Sequence, residues 1–363
     1  MDREKGTGSE KAPAAPASPS PQEGSCDFRG TRLHYLLWEP AAPASPDPSA
    51  SRRAPLVLVH AFAQSARSWA QVAPALAQGR AVYAIDLVGQ GESARPDSTE
   101  AYDLLAQGEA LRAFSAHVAG IEAASQPSQL PLIAGAAMGG RVAISALCGD
   151  PASFARCASG LVLEGVWLGP VDEAERDRAA RADVDLAARL RRNGLEALAD
   201  EWERGDAGAA ADGGAGADGG ADADAPGTLP PSPRAALREE LLANDAEALA
   251  LSLELAGRHA MPGRAQVVDA LGEACARGVP VLHLAGERDG ECRVQAEQLR
   301  AASAAPAAAA PAVRIVEGVG RFVHLQRPEA FVAAIEDCSA ARSAAPCDPS
   351  RGPVPPVQKG VEP

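Results

Sequence analysis

The sequence of 363 residues predicts an α/β fold in which helices flank a mostly parallel β-sheet. Three short apolar runs indicate this fold, because strands buried on both faces of a parallel sheet read as continuous apolar segments. They lie at residues 55–60, 81–86 and 130–134. Helical segments separate the runs, and this alternation implies right-handed crossovers between strands that lie parallel.

The remaining elements follow in chain order. Residues 28–39 read as a hairpin at the edge of the sheet, and a fourth buried strand is expected at residues 160–165. Further strands are predicted at residues 279–286 and 313–316, and helices at residues 68–77, 102–119, 293–302 and 328–338.

The sequence predicts one folded domain, residues 26–340, between two disordered tails, residues 1–25 and 341–363. Both tails are rich in Pro, Ala and Ser and offer too few apolar side chains to form a core. Residues 166–278 interrupt the alternation of strands and helices, and they are interpreted as a helical cap over the carboxyl edge of the sheet. Within the cap, residues 205–233 form a Gly/Ala/Asp-rich insert, for which a flexible linker is the favoured interpretation.

Composition excludes several classes of function. The net charge is −14, and much of it comes from aspartates in the insert, so no basic face for nucleic acid is expected. No run approaches the roughly 18 apolar residues of a membrane span, and no signal peptide is recognised. The seven cysteines are scattered without a C-x-x-C pair, which indicates neither a zinc site nor a disulfide framework. We therefore expect a cytoplasmic protein without a cofactor or a metal ion.

A turn crowded with small residues follows the third apolar run. Residues 132–142 read as a strand, a turn and a helix, which is the layout of the nucleophile elbow, G-x-S-x-G, in α/β-hydrolases. Gly135 and Gly139 are both in place, where the helix must pass close to neighbouring strands. The central residue is Ala137, which has no hydroxyl and cannot act as a nucleophile. The motif thus predicts the α/β-hydrolase fold without its usual reacting group.

Two further positions complete the order nucleophile, acid, base that this fold uses. Asp289 holds the position of the catalytic acid, after a late strand, and Arg321 occupies the position of the base. A guanidinium has a pKa above about 12 and cannot accept a proton near neutrality. We expect Arg321 to form an ion pair with Asp289, because burial would otherwise penalise the carboxylate.

The core, residues 55–338, resembles the 2-succinyl-6-hydroxy-2,4-cyclohexadiene-1-carboxylate (SHCHC) synthases, which are α/β-hydrolase-fold lyases of menaquinone biosynthesis. The motifs that carry the resemblance are D-L-V-G-Q-G-E-S at 86–93, G-A-A-M-G-G-R at 135–141, L-E-G at 163–165 and G-E-R-D at 286–289. Enzymes of that family eliminate pyruvate, and a serine activated by a His–acid pair abstracts the proton. Besides Ala137 and Arg321, this sequence departs from the family pattern at Ala61, Gln90 and Ala136.

The resemblance also implies roles for residues around the elbow. The backbone N–H groups of Phe62 and Met138 would form the oxyanion hole. Arg141, in the elbow helix, would bind a carboxylate of the substrate through charge-assisted hydrogen bonds. The alternative for Arg141 is a salt bridge on the helix surface or at the sheet edge.

The cap contributes three further candidates for substrate binding. Arg178 and Arg181 lie on an Arg-rich cap helix, and Trp202 falls where the family has a cap tryptophan. A solvated helix face is the favoured alternative for the arginines. For Trp202, a place in the core of the cap is as well supported as contact with a ligand.

Three side chains near the site invite the question of whether they replace the missing groups. His324 lies three residues after Arg321, but a packing or hydrogen-bonding role is favoured. Ser65 follows the first buried strand, yet the sequence places no base for it. His60, which ends that strand, is expected to be structural.

Two classes of function stay open. One is an SHCHC synthase-like lyase with weak activity, since loss of a triad member costs up to ~10⁶ in rate. The other is a non-catalytic relative that binds a small anionic metabolite or a partner protein. Serine esterase activity is rejected, because no acyl-enzyme can form at Ala137.

Overall fold

The computed structural model describes residues 20–40, 53–125, 130–204, 231–302 and 310–343. Most of both predicted tails, and residues 205–230 of the predicted insert, lie outside the described residues. Among the residues that are described, no helix is both long and apolar enough to cross a membrane.

Eight strands of the described chain form one sheet. They are β1 (Gln22–Phe28), β2 (Thr31–Trp38), β3 (Leu56–Val59), β4 (Val82–Ile85), β5 (Leu132–Ala136), β6 (Gly160–Glu164), β7 (Val281–Gly286) and β8 (Ala312–Val316). Their order in the sheet is β1-β2-β4-β3-β5-β6-β7-β8. The pairs from β4 to β8 are parallel, whereas β1 and β2 pair antiparallel with their neighbours. The predicted α/β-hydrolase fold is confirmed.

The start of the domain differs from the prediction. The edge hairpin consists of β1 and β2, so strand structure begins at Gln22 rather than after residue 25. A tight turn joins the strands at Arg29 and Gly30, which have φ values of 51° and 80°. Strand β1 is half-exposed along its length and carries polar residues, as edge strands do, and this hides it from a search for apolar runs.

Helices cover both faces of the sheet and build the cap. They are α1 (Ala73–Leu76), α2 (Leu104–Ser125), α3 (Met138–Gly149), α4 (Pro151–Cys157), α5 (Glu173–Arg204), α6 (Pro231–Leu242), α7 (Ala246–Ala256), α8 (Arg264–Ala276), α9 (Gly290–Ala302), α10 (Val323–Gln326) and α11 (Pro328–Ser343). The helix predicted at residues 68–77 is instead a 3₁₀ helix, Ala66–Gln71, followed by the short α1. Pro74 stands near the start of α1, where its missing N–H costs least.

The core lies on both faces of the parallel strands, as their apolar sequences predict. In β3, Val57 and Val59 belong to one apolar cluster, whereas Leu56 and Leu58 belong to a second cluster on the opposite face. Every residue of β3, β4, β5, β6 and β7 is buried. Alternate side chains therefore stabilise opposite layers, and the carboxyl ends of these strands are fixed relative to one another.

The cap contacts the loops that leave the carboxyl ends of β3 and β4. Asn244, between α6 and α7, donates from Nδ2 to the Ala63 carbonyl at 3.2 Å. Its Oδ1 accepts from the Gly91 N–H at 3.1 Å. In α5, Gly194 has a φ of 78°, which interrupts the helix and suits glycine.

Candidate active site

The elbow connects β5 to α3 through a strained residue. Ala137 has φ 43° and ψ −106°, and its side chain is buried. The Ala137 N–H donates to the Glu164 carbonyl at 2.9 Å. A Cβ atom on Gly139 would lie 2.3 Å from the Val59 carbonyl oxygen, and one on Gly135 would lie 2.6 Å from the Gly139 backbone. The chain thus keeps the strained turn that normally presents a nucleophile and places a methyl group there.

Asp289 and Arg321, which the sequence assigns to the acid and base positions, form a contact with each other. Arg321 Nε donates to Asp289 Oδ2 at 3.2 Å, and the two side chains are 6% and 0% exposed. Gly165, with φ 55°, makes room, because a Cβ atom there would lie 2.5 Å from Arg321 Cγ. The other oxygen, Asp289 Oδ1, accepts from the Cys292 N–H at 3.1 Å. The ion pair expected from the sequence is present.

The two predicted oxyanion donors lie in the loop after β3 and at the start of α3. Phe62 and Met138 are buried, and neither backbone N–H donates to another residue in the described part of the chain. Gln90 links the two segments: its Oε1 accepts from the Ala63 N–H at 2.8 Å, and its Nε2 lies 3.6 Å from Met138 Sδ. Gln90, noted in the sequence only as a departure, therefore supports both sides of the predicted hole.

His60 orders the loop behind the oxyanion donors. Its Nε2 accepts from the Leu87 N–H at 3.0 Å, while Nδ1 lies 2.7 Å from the Ala61 carbonyl, which can only accept. These bonds fix the neutral tautomer with its proton on Nδ1. Burial lowers the pKa of His60, opposed by the Asp86 charge and the bond to Ala61. The geometry agrees with the structural role expected for His60.

Asp86, which follows β4, organises the same region. Its carboxylate accepts from His34 Nδ1 at 2.8 Å and from the N–H groups of Ala66 and Glu92 at 2.6 and 2.9 Å. Burial raises the pKa of Asp86, but the hydrogen bond from His34, the neighbouring His60 ring and the N–H groups of Glu92 and Ala66 outweigh it, so the net shift is downward. Asp86 thus binds three segments together as a carboxylate.

His324 packs against aromatic rings and does not take the place of the base. Its Nδ1 lies 2.8 Å from Glu164 Oε2, and its N–H donates to Glu164 Oε1 at 2.7 Å. The imidazole is fully buried, with its centroid 4.3 Å from that of Trp69 and 5.8 Å from that of Phe331. In the sequence, Glu164 stands out only as part of the L-E-G motif. Its pairing with His324 is not predictable from the sequence, because the two residues lie 160 positions apart.

The four other residues predicted to bind the ligand differ in burial and in distance along the chain from the elbow. Arg141 is buried in α3, directly after the elbow. Arg178 and Arg181 are exposed on α5, as a solvated face would be, so the structure does not bring them into the buried elbow region. Trp202 is half-buried against the main apolar cluster, which agrees with a place in the core of the cap.

Ser65 contacts a carboxylate that sequence reasoning missed. Its Oγ donates to Glu240 Oε2 at 2.9 Å, and the same Oγ accepts from the Arg67 N–H at 3.2 Å to cap the 3₁₀ helix. Glu240 belongs to α6, where it is one of two adjacent glutamates, and nothing in the sequence distinguishes it from Glu239.

Comparisons with known proteins agree with this fold. The family model described as "Alpha/beta hydrolase family" matches residues 56–334, more than half of the chain. The SHCHC synthase of Citrobacter koseri is 29% identical over 244 residues, covering 67% of this chain and 81% of that protein. The SHCHC synthase of Escherichia coli O1:K1 is 25% identical over 284 residues, covering 77% and 91%.

Solved structures show the same fold at lower identity. MenH from S. aureus superposes with a TM-score of 0.65 at 21% identity, covering 85% of this chain and 98% of that one. A thermophilic esterase from Thermogutta terrifontis superposes with a TM-score of 0.57 at 19% identity, covering 88% and 99%. From the strand order, the elbow and the family match together, the chain belongs to the alpha/beta hydrolase family and is similar to the SHCHC synthases.

Proposed function

We propose that the chain is a MenH-like member of the family that binds a small anionic carboxylate at the elbow and has lost the proton transfer of the lyase. The observation that carries the proposal is the buried pair of Arg321 and Asp289, with Nε and Oδ2 3.2 Å apart. In this proposal the pair stands where the family has its base and acid, and the Arg321 guanidinium keeps its proton, so it cannot act as a base. With Ala137 at the elbow, no acceptor for the substrate proton stands where the family has one.

The groups that would hold an anion are retained. By motif, the N–H groups of Phe62 and Met138 would face the elbow, and Arg141 follows Met138 within the same helix. Backbone N–H groups and an arginine favour a carboxylate or an enolate-like oxygen, because both carry charge toward the donors. The ligand expected here is a small carboxylate of the kind named in the relatives, 2-succinyl-6-hydroxy-2,4-cyclohexadiene-1-carboxylate.

A second candidate function is weak SHCHC synthase activity. It is favoured by the similarity to the Citrobacter koseri enzyme, which spans 81% of that protein. Binding and an oxyanion hole alone can leave a rate ~10³–10⁴ above the reaction in water. In this second candidate, Phe62, Met138 and Arg141 would stabilise developing negative charge without a serine.

The two candidates are separated by pyruvate release from the substrate of the synthases. Purified chain is compared with Ala137→Ser, Arg321→His and the double variant. We expect the wild type and both single variants to match the spontaneous rate, and the double variant to exceed them by on the order of 10² or more, because only it has both the serine that takes the proton and the histidine that activates the serine. Wild-type release well above the spontaneous rate would instead establish the weak lyase.

Anion binding is tested separately by calorimetric titration with SHCHC. Arg141→Met is expected to weaken binding at least tenfold, since a charge-assisted contact is removed. Arg178→Ala, Arg181→Ala and Trp202→Phe measure whether the cap contributes, and their exposed or packed positions predict smaller effects. Absence of binding by the wild type would contradict the proposal, and an unchanged affinity of Arg141→Met would remove Arg141 from it.

The proposal includes the cytoplasmic location expected from the sequence. The cysteines in the described part of the chain are free thiols, of which Cys157, Cys275, Cys292 and Cys338 are buried. Burial raises the pKa of Cys275 to about 11 and that of Cys338 to about 12, so both stay protonated at neutral pH. Unpaired, protonated thiols agree with a reducing compartment.

A further inference from the structure

One carboxylate joins the cap to the loop that carries the oxyanion donor Phe62. Glu240 Oε2, on α6, accepts two hydrogen bonds from Ser65, one from its N–H at 2.7 Å and one from its Oγ at 2.9 Å. Glu240 and Ser65 lie 175 positions apart in the chain, one in the cap and one in the loop after β3. The contact therefore exists only when the cap lies on the sheet.

Asn244 holds the same two layers together one helical turn later. Its Nδ2 donates to the Glu240 carbonyl at 2.8 Å as well as to Ala63, and its Oδ1 accepts from Gly91. Ala63 and Ser65 thus bind cap residues on the chain immediately following Phe62. Movement of α6 away from the sheet would break these bonds and release that loop.

We propose that Glu240 is a positioning residue that fastens the cap over the elbow, and that its protonation state sets how tightly the cap closes. The consequence for the ligand rests on the proposed function, since Glu240 acts through Ser65 and Phe62 and not by contact with the bound anion. The fastening itself is a property of the fold and stands apart from any ligand.

The electrostatics of the contact favour the protonated form. Burial raises the pKa of Glu240 from 4.5 to about 7, against the hydrogen bonds from Ser65, which lower it. Asp86, behind the start of the 3₁₀ helix, raises the pKa further, and Arg67 on that helix lowers it. On α5, Asp200 and Glu203 face α6 but bind Arg238, at 2.9 and 3.4 Å, instead of Glu240.

The sign of the effect follows from the two states. With the cap open, Glu240 is in water and ionises near its ordinary pKa of 4.5, whereas with the cap closed it holds a proton up to about pH 7. Closing therefore takes up a proton and is favoured by acid. Between pH 5 and pH 8 the opening equilibrium is expected to rise by on the order of 10²-fold.

Hydrogen–deuterium exchange on the full chain tests the proposal. Protection factors, corrected for intrinsic exchange, are compared at pH 5 and pH 8 for residues 62–67 and 231–242. We expect wild-type protection in both segments to fall by on the order of 10²-fold at pH 8. Glu240→Gln keeps an oxygen for both Ser65 bonds without the charge, so its protection should stay high at both pH values.

Two variants complete the comparison. Glu240→Ala removes the acceptor and should leave both segments poorly protected at either pH. Glu239→Gln changes the exposed neighbour on the same helix and should behave as the wild type. Wild-type protection that does not change with pH, or a Glu240→Gln variant that still loses protection at pH 8, would overturn the proposal, even where the alanine variant fails to fold.

Titration of the same proteins with SHCHC separates this inference from the proposed function. If the cap controls the site, wild-type affinity falls between pH 5 and pH 8 while that of Glu240→Gln changes less. Exchange that follows the expected pattern while no protein binds SHCHC would support the fastening and contradict the proposed function. Binding of SHCHC together with hydrogen exchange that does not change with pH would support the proposed function and contradict the fastening.

Discussion

At the scale of single residues, two side chains decide the electrostatics of the candidate site. Ala137 places a methyl group at the elbow, and Arg321 places a guanidinium beside Asp289. The guanidinium sets a permanent positive charge against the Asp289 carboxylate, whose side chain is fully buried. Such a pair is costly to break on one side only, because the remaining charge is left buried without compensation.

Substitution of one partner of this pair should therefore destabilise the fold more than substitution of both. Arg321→Met is expected to lower the free energy of unfolding by about 3–5 kcal/mol, and adding Asp289→Asn should recover part of that loss. Urea denaturation of the single and double variants measures both values. Arg277→Met, which breaks the exposed pair with Glu273 at 2.7 Å, is the control and should cost less than about 1 kcal/mol. Additive effects at Asp289 and Arg321 would contradict the pairing.

At the scale of elements, the elbow depends on a close approach between the start of α3 and β3. Gly139 lies against the Val59 carbonyl, where even a methyl group would overlap backbone atoms. By contrast, Gly272 in α8 has open space around its missing side chain. The same substitution should therefore have opposite effects at the two positions.

Gly139→Ala is expected to destabilise the chain by at least about 3 kcal/mol, since the backbone of α3 or β3 must shift. Gly272→Ala should stabilise it by about 0.5–1 kcal/mol, because alanine loses less entropy on entering a helix. Thermal unfolding followed by circular dichroism gives the order of the midpoints. A Gly139→Ala variant as stable as the wild type would show that the elbow is not packed as described.

At the scale of the whole molecule, buried titratable groups give stability two opposing dependences on pH. Burial lowers the pKa of His60 and of His283, so the folded chain keeps both neutral. Below about pH 6.5 the unfolded chain binds protons at both, and the free energy of unfolding falls as pH decreases, by at most about 2.7 kcal/mol per unit. Glu240 acts oppositely. Because its pKa is raised in the folded chain, its carboxyl group stabilises the folded chain in acid, and this stabilisation is lost as the pH rises through about 7.

Glu240→Gln isolates the second contribution. Relative to the wild type, its free energy of unfolding should be little changed at pH 4.5 and higher by roughly 3 kcal/mol at pH 8, since the folded chain no longer carries a buried charge. Urea denaturation across this range measures the difference, with Glu239→Gln as the matched control. A constant difference between pH 4.5 and pH 8 would mean that Glu240 titrates normally in the folded chain.

Local sequence was sufficient for the parallel sheet, the elbow and the paired charges at Asp289 and Arg321. Doubly buried strands must be continuously apolar, and a position where a Cβ atom would lie 2.3 Å from a carbonyl oxygen must be glycine, so both features are visible in order along the chain. The half-exposed β1 was missed, because an edge strand needs no apolar run.

The sequence by itself determined the fold, the alanine at the centre of the elbow and the charge carried by Arg321, because each depends on residue types at fixed spacing. Only the tertiary structure decided that Glu164 pairs with His324 and that Glu240 binds Ser65, since those partners stand 160 and 175 residues apart. Contacts at such separation depend on how the cap and the strands pack. Burial at those contacts, which no local pattern encodes, then raises the pKa of Glu240.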